Sequence, residues 1–272
     1  MSFYYEVHFT NITPADSDIL IALLSQNNVN GFEELENSLK AFIGQADYDE
    51  AAIAEIAATI NATYELKKIE EENWNKLWES NFNPVTVDNW VAVRADFHEP
   101  ITNVVHEIVI TPKMSFGTGH HATTYMMLNQ MQHLQITNKT VFDFGTGTGV
   151  LAILAKKMGA GNVVAVDYDE WSIENTRENI GRNNTDGITL VQADTAQLNS
   201  SFDVILANIN KNVILDNMEV LSNQLVKGGT IFFSGLLVDD QQDIITAAEK
   251  TGLQLVNTQI RNKWLFINML KH

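Results

Sequence analysis

Hydrophobic residues recur along the first 65 residues with a period of two in some stretches and about four in others. The stretch "FYYEVHF" alternates as a β-strand, and "ADSDILIALLSQN" follows Thr13-Pro14 with the spacing of an amphipathic helix. Two short strands, "GFEEL" and "LKAFIG", then an alanine-rich helix, "DEAAIAEIAATI", and a strand, "TYELKKI", come next. The order β-α-β-β-α-β predicts a small α+β domain of the ferredoxin-like type over residues 1–65.

A connecting helix is predicted next, over residues 66–84. Trp74, Trp78 and Phe82 are spaced at i, i+4 and i+8, so they share one helical face, and Pro84 ends the pattern. Such an aromatic stripe indicates a helix that docks on a neighbouring element. We therefore interpret this segment as the linker between two domains.

Strand and helix patterns alternate over residues 85–272, which predicts an α/β domain with a doubly wound, Rossmann-like parallel sheet. The last two strand patterns, "LQLVNTQI" and "WLFINML", are separated only by Arg261, Asn262 and Lys263. Three residues are too few for a parallel crossover and suit a hairpin. The sheet is therefore expected to end in an antiparallel strand.

The loop "DFGTGTG" is the strongest chemical signal, because it stands between a strand pattern and a helix pattern. Gly145, Gly147 and Gly149 form GxGxG, which departs from the GxGxxG spacing that seats a dinucleotide pyrophosphate. Asp167 ends the next strand, at the distance expected of an acid that binds ribose hydroxyls. These residues predict a ligand that contains adenosine.

Composition excludes several other functions. The chain has 272 residues, no cysteine and a formal net charge of −17. Thiolate chemistry is thereby excluded, direct nucleic-acid binding is disfavoured, and a basic partner is favoured. We expect a cytoplasmic protein, since neither a membrane span nor a signal peptide is apparent. No metal site is expected, because the adjacent His120 and His121 do not converge on one point.

Four motifs, in order, resemble the ribosomal protein L-eleven methyltransferase family, a group of class I S-adenosylmethionine-dependent methyltransferases. They are "NWNKLWESNFNPVTV", "FGTGHHATT", "ILANIN" and "KGGTIFFSGLL", and "VFDFGTGTGVLAI" with "VVAVDYD" resembles the general cofactor motifs of that class. The resemblance implies a seven-stranded methyltransferase domain that is preceded in the chain by a ferredoxin-like substrate-recognition domain. It also implies methyl transfer from S-adenosylmethionine to lysine ε-amines and the α-amine of a basic ribosomal protein.

The cofactor positions that the resemblance implies fall on Thr124, Gly145, Asp167 and Asn208. Gly147, in the same loop, and Asp194, which ends "VQAD", are added as cofactor-binding candidates. Asn208 is also the candidate catalytic residue, because its side-chain oxygen could accept an amine N–H and aim the nitrogen lone pair.

The chain departs from the family pattern at two places. His120-His121-Ala122 stands where the family commonly has Thr-His-Pro, and Asn210 stands where an apolar residue is common. Three alternatives stay open: a small-molecule or RNA-base N-methyltransferase, a dinucleotide dehydrogenase, and a non-catalytic module that binds a ribosomal partner. A monomer is expected, although no pattern determines the oligomeric state, the lysines modified or the number of methyl groups added.

Overall fold

A computed structural model describes residues 3–25, 29–70, 83–112 and 117–272. The chain forms two compact units, Met1–Asn81 and Phe82–His272. The predicted linker helix with Trp74, Trp78 and Phe82 lies outside the described residues. Among the described residues, no helix combines the length and the apolar character needed to cross a membrane.

The first unit is a four-stranded sheet with two helices. Its strands lie in the order β2-β3-β1-β4, and every neighbouring pair is antiparallel. Thr13 caps the first helix in a reciprocal pair with Asp16, and Pro14 opens it. Valine, leucine and isoleucine side chains form a separate core with Phe9. The elements are β1 Phe3–Thr10, α1 Pro14–Leu24, β2 Val29–Leu35, β3 Ser38–Gly44, α2 Glu50–Thr59 and β4 Thr63–Glu70.

The second unit contains a seven-stranded sheet, in the order β10-β9-β8-β11-β12-β14-β13. The first five strands in this order, β10, β9, β8, β11 and β12, are parallel to one another. The next strand, β14, is antiparallel to both β12 and β13. The predicted hairpin is therefore present. These strands are β8 Thr140–Phe144, β9 Asn162–Asp167, β10 Ile188–Gln192, β11 Phe202–Asn208, β12 Leu225–Leu237, β13 Leu253–Arg261 and β14 Trp264–Lys271.

Helices cover both faces of this sheet, so its central strands are apolar on both sides. Val141 packs on one face with α4, whereas the next residue, Phe142, packs on the other with α6. The mixed α/β fold with a large, mostly parallel sheet is as expected. The helices are α3 Ala122–Met131, α4 Val150–Lys157, α5 Glu170–Arg182, α6 Lys211–Gln224 and α7 Gln241–Lys250, and a 3₁₀ turn spans Val238–Asp240.

A second, three-stranded sheet in this unit was not predicted. Its strands are β5 Val85–Val87, β6 Val91–Ala95 and β7 His106–Ile110, in that spatial order. Two asparagines of α5, Asn175 and Asn179, and its C-cap residue, Asn183, bind the backbone of β7 and of the residues after it. Asn183 accepts from Val109 N and donates to Val109 O, and Asn179 accepts from Thr111 N. The edge of β7 is thus satisfied by side chains rather than by another strand.

Candidate functional site

A cavity of about 680 Å³ opens at the carboxyl ends of the parallel strands, where ligands bind in folds of this kind. Its size is within the range of roughly 300–1,000 Å³ that is usual for ligand pockets. The wall includes the ends of β8, β9 and β11, the loop after β10, the N-cap residue of α3, and parts of α5, α6, β12 and β14. Among its residues are Gly145, Gly147, Asp167, Asp194 and Asn208. Five of the six predicted cofactor residues therefore lie around one space.

The glycine loop follows β8 and has an unusual backbone. Gly145, Gly147 and Gly149 all have positive φ angles, of 77°, 56° and 81°. A side chain at Gly145 would overlap the Cγ2 methyl of Ile209, and a Cβ at Gly149 would lie 2.6 Å from Cγ2 of Thr176. The loop requires glycine at these positions for conformation and for space.

Three side chains that the sequence analysis missed hold this loop in place. The buried carboxylate of Asp143 accepts from Thr146 Oγ1 at 2.6 Å and from Ala152 N at 3.2 Å. Thr176 Oγ1 donates to Gly147 O at 2.7 Å, and Asn179 Nδ2 donates to Thr148 O at 2.8 Å. The spacing of Thr176 and Asn179 on one face of α5 was a signal that could have indicated their role.

The electrostatic setting of Asp143 differs from that of a surface acid. Burial raises the pKa of its carboxyl from 3.8 to about 7; its hydrogen bonds from Thr146 and Ala152 oppose the shift, and the charge of Asp167 adds to it. Two carboxyl groups therefore lie close together beneath the loop. The ionised form of Asp143 is stabilised chiefly by its two hydrogen bonds.

Asp167 is the last residue of β9, binds the glycine loop and lies in the cavity wall. Its Oδ2 accepts from Gly147 N at 2.9 Å, and its Oδ1 accepts from Asp169 N at 3.1 Å. Each carboxylate oxygen can accept two hydrogen bonds, so one lone pair per oxygen remains for a ligand. Asp167 is thus held rigidly at the cavity wall with capacity to bind a pair of hydroxyl groups.

Asn208 lies across the cavity from this acid, at the end of β11. Its Nδ2 donates to Thr124 Oγ1 at 3.3 Å. The carboxamide oxygen, Oδ1, is not used in this bond. That oxygen is buried, and no described group donates a hydrogen bond to it. Thr124 is fully buried and is not part of the cavity wall. A direct contact of Thr124 with a ligand therefore stays a prediction, whereas its contact with Asn208 is observed.

The structure also gives the positions of Asp194 and of the residues that depart from the family pattern. Asp194 is exposed at the cavity rim, after β10. His120 Nε2 lies 2.7 Å from Asn83 O, and its Nδ1 lies 3.1 Å from Thr118 Oγ1. These side-chain contacts hold the loop, although Ala122 stands where the family commonly has proline. Asn210 caps α6 by accepting from Val213 N at 3.1 Å.

His121 and Trp264 form part of the cavity wall and were not predicted. Their ring centroids are 4.4 Å apart at an interplanar angle of 72°, in an edge-to-face arrangement. His121 is the N-cap of α3, where its Nδ1 accepts from Thr123 N at 3.4 Å. Burial lowers the pKa of the His121 imidazole, which keeps it neutral at pH 7. Sequence alone does not indicate this pair, which is separated by more than half of the chain.

The sequence matches the family described as ribosomal protein L11 methyltransferase (PrmA) over residues 11–272. It is 36% identical to the ribosomal protein L11 methyltransferase of Bacteroides thetaiotaomicron, with 96% of both chains covered. It is 37% identical to the protein of the same name from Porphyromonas gingivalis, with 91% of this chain and 88% of the relative covered.

Solved structures agree with the sequence comparisons. The crystal structure of a ribosomal protein L11 methylase from Lactobacillus delbrueckii subsp. bulgaricus superimposes with a TM-score of 0.65 at 27% identity, covering 70% of this chain and 100% of that one. A methyltransferase from Pyrococcus furiosus, with a TM-score of 0.51, 19% identity and coverage of 60% and 88%, shares the fold. The resemblance drawn from the four motifs is confirmed, and the chain belongs to the ribosomal protein L11 methyltransferase family.

Proposed function

We propose that this protein transfers methyl groups from S-adenosylmethionine to the lysine ε-amines and the α-amine of ribosomal protein L11. The name of the family and of its relatives supports this substrate. The structural observation that carries the proposal is the buried Oδ1 of Asn208, which has no hydrogen-bond donor among the described residues. An unsatisfied buried acceptor costs about 1–3 kcal/mol, and an amine N–H of a substrate would satisfy it.

The cavity has the groups that S-adenosylmethionine requires. Asp167 retains acceptor capacity for the two ribose hydroxyls, and Gly145 and Gly147 leave the loop backbone open to the amino-acid part of the cofactor. Asp194 lies at the rim, where it could meet the adenine amine. When bound, the cofactor supplies a methyl group that the positive charge of its sulfur has already activated.

The protein must then provide a neutral amine in the correct orientation. A lysine ε-amine has a pKa of about 10.4 in water, so it arrives protonated, and only the neutral form can attack. Phe144, Ile209 and Val213 contribute apolar surface to the cavity, and desolvation there lowers the pKa of an ammonium. Asn208 Oδ1 accepts an N–H of the amine and thereby directs its lone pair. Thr124 acts as a positioning residue, because its hydroxyl oxygen orients the Asn208 carboxamide.

Asn208→Ala is expected to reduce turnover of the ribosomal protein at least tenfold at saturating cofactor. The lost hydrogen bond is made in the reacting complex, so saturation cannot compensate for it. The measurement is transfer of a labelled methyl group from S-adenosylmethionine into recombinant ribosomal protein L11, followed by peptide mass analysis.

Thr124→Val serves as the comparison, because valine has the shape of threonine but cannot accept the bond from Asn208. An intermediate loss of turnover is expected for it. Turnover of Asn208→Ala within about twofold of the parent would show that Asn208 does not aim the amine.

Two rival functions are separated by the same assay. A small-molecule or RNA-base methyltransferase would label amine metabolites or RNA instead of protein. The net charge of −17 disfavours RNA, because a phosphate backbone is repelled by such a surface. A non-catalytic binding module would bind the ribosomal protein without labelling it.

We further propose that the first unit is a ferredoxin-like domain that recognises the protein substrate. Its antiparallel order β2-β3-β1-β4 and its own core support this assignment, and none of the cofactor candidates lies in it. A chain of residues 71–272 is expected to keep its affinity for S-adenosylmethionine within about twofold, and to lose most methylation of the ribosomal protein. Calorimetry and the labelling assay measure the two properties.

Thermal melting of the shortened chain is the necessary control, since removal of a domain can expose apolar surface. If the shortened protein melts cooperatively and still methylates the whole ribosomal protein at the parent rate, recognition does not depend on the first unit.

A further inference from the structure

Two large aromatic side chains are exposed next to the cofactor cavity. Tyr168 and Trp171 have 76% and 75% of their surfaces accessible to solvent. Tyr168 contributes to the cavity wall, and Trp171 lies in the first turn of α5. Among the described residues, neither side chain has a hydrogen-bond or ring partner that would explain its position. Tryptophan and tyrosine are enriched among the residues that contribute most to binding at protein interfaces.

Exposed carboxylates occur close to these two residues in the sequence and on the cavity rim. Glu170 and Glu174 are exposed on the same helix, at i and i+4, and Asp194 is exposed on the neighbouring loop of the cavity rim. We call Tyr168, Glu170, Trp171 and Glu174 the acidic-aromatic patch.

Helix capping explains the position of one nearby acid, Asp169, but not the positions of the acids in the patch. The Asp169 carboxylate caps α5 by accepting from Ser172 N at 3.1 Å and from Ser172 Oγ at 3.0 Å. Glu174, in the second turn, makes no hydrogen bond or ion pair within the described part of the chain. Arg177 follows Glu174 by three residues on the same helix, but no ion pair joins the two side chains in the described part of the chain. The charge of the patch is therefore available to a partner.

We propose that the acidic-aromatic patch docks a lysine- or arginine-bearing segment of the protein substrate at the rim of the cavity. This inference rests on the proposed function. The aromatic faces attract cations and cover their aliphatic stems, and the carboxylates pair with the charged ends. Tyr168 belongs to both the patch and the cavity wall, so the docked segment would lie at the rim of the cavity. The net charge of −17 favours the same type of partner over longer distances.

Trp171→Ala in the full-length enzyme tests the aromatic part. We expect the KM for ribosomal protein L11 to rise about tenfold, as for an interface tryptophan of moderate importance. The kcat and the dissociation constant of S-adenosylmethionine should stay within about twofold, because Trp171 is not part of the cavity wall. Trp171→Phe retains an aromatic face and should restore most of the affinity. An unchanged KM for Trp171→Ala would overturn the proposal.

Charge reversal tests the acidic part with a matched control. Glu174→Lys and Glu249→Lys change the net charge equally, and Glu249 is exposed on α7 outside the patch. Only Glu174→Lys should raise the KM for the ribosomal protein severalfold beyond the general electrostatic effect. Equal increases for the two variants would mean that net charge alone acts, and would overturn local docking.

Direct binding of the ribosomal protein, measured by biolayer interferometry, separates this inference from the proposed function. A parent enzyme that binds in a Trp171-dependent way but does not methylate would support the docking surface and refute the proposed function. A parent enzyme that methylates with no Trp171 dependence of binding would refute the docking surface alone. Trp171-dependent dimerisation in light scattering, with unchanged binding, would show that a second copy of the chain covers the patch and would also refute the inference.

Discussion

Replacing Asp167 with alanine is expected to weaken binding of S-adenosylmethionine, the proposed cofactor, by about two orders of magnitude or more. The carboxylate is held by Gly147 N and Asp169 N, and it has one remaining lone pair per oxygen. Each hydrogen bond to a charged group contributes about 1.5–3 kcal/mol, and two such bonds to ribose exceed the roughly 2.7 kcal/mol that a hundredfold loss represents. Isothermal titration calorimetry measures the change.

Asp194→Ala is the comparison for this experiment, because Asp194 is also an acid of the cavity wall. Its exposure to solvent screens its interactions, so its loss should weaken binding by about tenfold or less. The assignment of Asp167 fails if its alanine variant binds S-adenosylmethionine as tightly as the parent does.

Asp143→Asn is expected to remove a pH-dependent loss of stability. Burial raises the pKa of this carboxyl in the folded protein from 3.8 to about 7. Between these values the folded state binds the proton and the unfolded state does not. The stabilisation is therefore complete below pH 4 and is lost as the pH rises towards 7. Asp143 thus lowers the free energy of unfolding by about 2 kcal/mol between pH 5 and 7, and by about 4 kcal/mol in total.

Asparagine cannot ionise and keeps an oxygen that can accept from Thr146. The difference in unfolding free energy between variant and parent should thus shift in favour of the variant as the pH rises from 5 to 7. Urea denaturation at each pH measures this difference. Parallel pH profiles for the two proteins would contradict the raised pKa.

Asp203→Asn is the matched control for the pH series. Partial burial opposes the shift, but hydrogen bonds from Thr140 and Lys139 lower the pKa of Asp203 below 3.8. A lowered pKa gives stabilisation that is complete above pH 5 and is lost only at more acidic values. The Asp203 variant should therefore differ from the parent by a constant amount between pH 5 and 7.

The glycine loop shows how the fold prepares the site before a ligand arrives. Asp143 holds its beginning, and Thr176 and Asn179 hold two of its carbonyl groups from α5. Asn179 also binds Thr111 N, so one side chain connects the loop to the chain that follows β7. Because these bonds fix the loop conformation in advance, less conformational entropy is lost when a ligand binds.

Local patterns in the sequence determined much of this protein. The alternation of strand and helix predicted the large parallel sheet, and the three residues between β13 and β14 predicted the hairpin. The glycine spacing and the position of Asp167 predicted the loop and acid that now lie at one cavity. The sheet and the hairpin were predictable because each depends on residues close in sequence, where backbone conformation and turn length follow from residue type.

Only the tertiary structure decided which distant residues meet. The sheet β5-β6-β7 was not predicted, because its strands are short and its edge is completed by Asn183, the C-cap residue of α5. Asn208 reaches Thr124 across 84 positions, and Trp264 packs on His121 from the last strand. Such contacts depend on strand order and helix packing, which bring together residues that no local period relates. The sequence therefore determined the glycine loop and the acid that ends the next strand, whereas the contact of Asn208 with Thr124 and the aromatic wall of the cavity arise from tertiary packing.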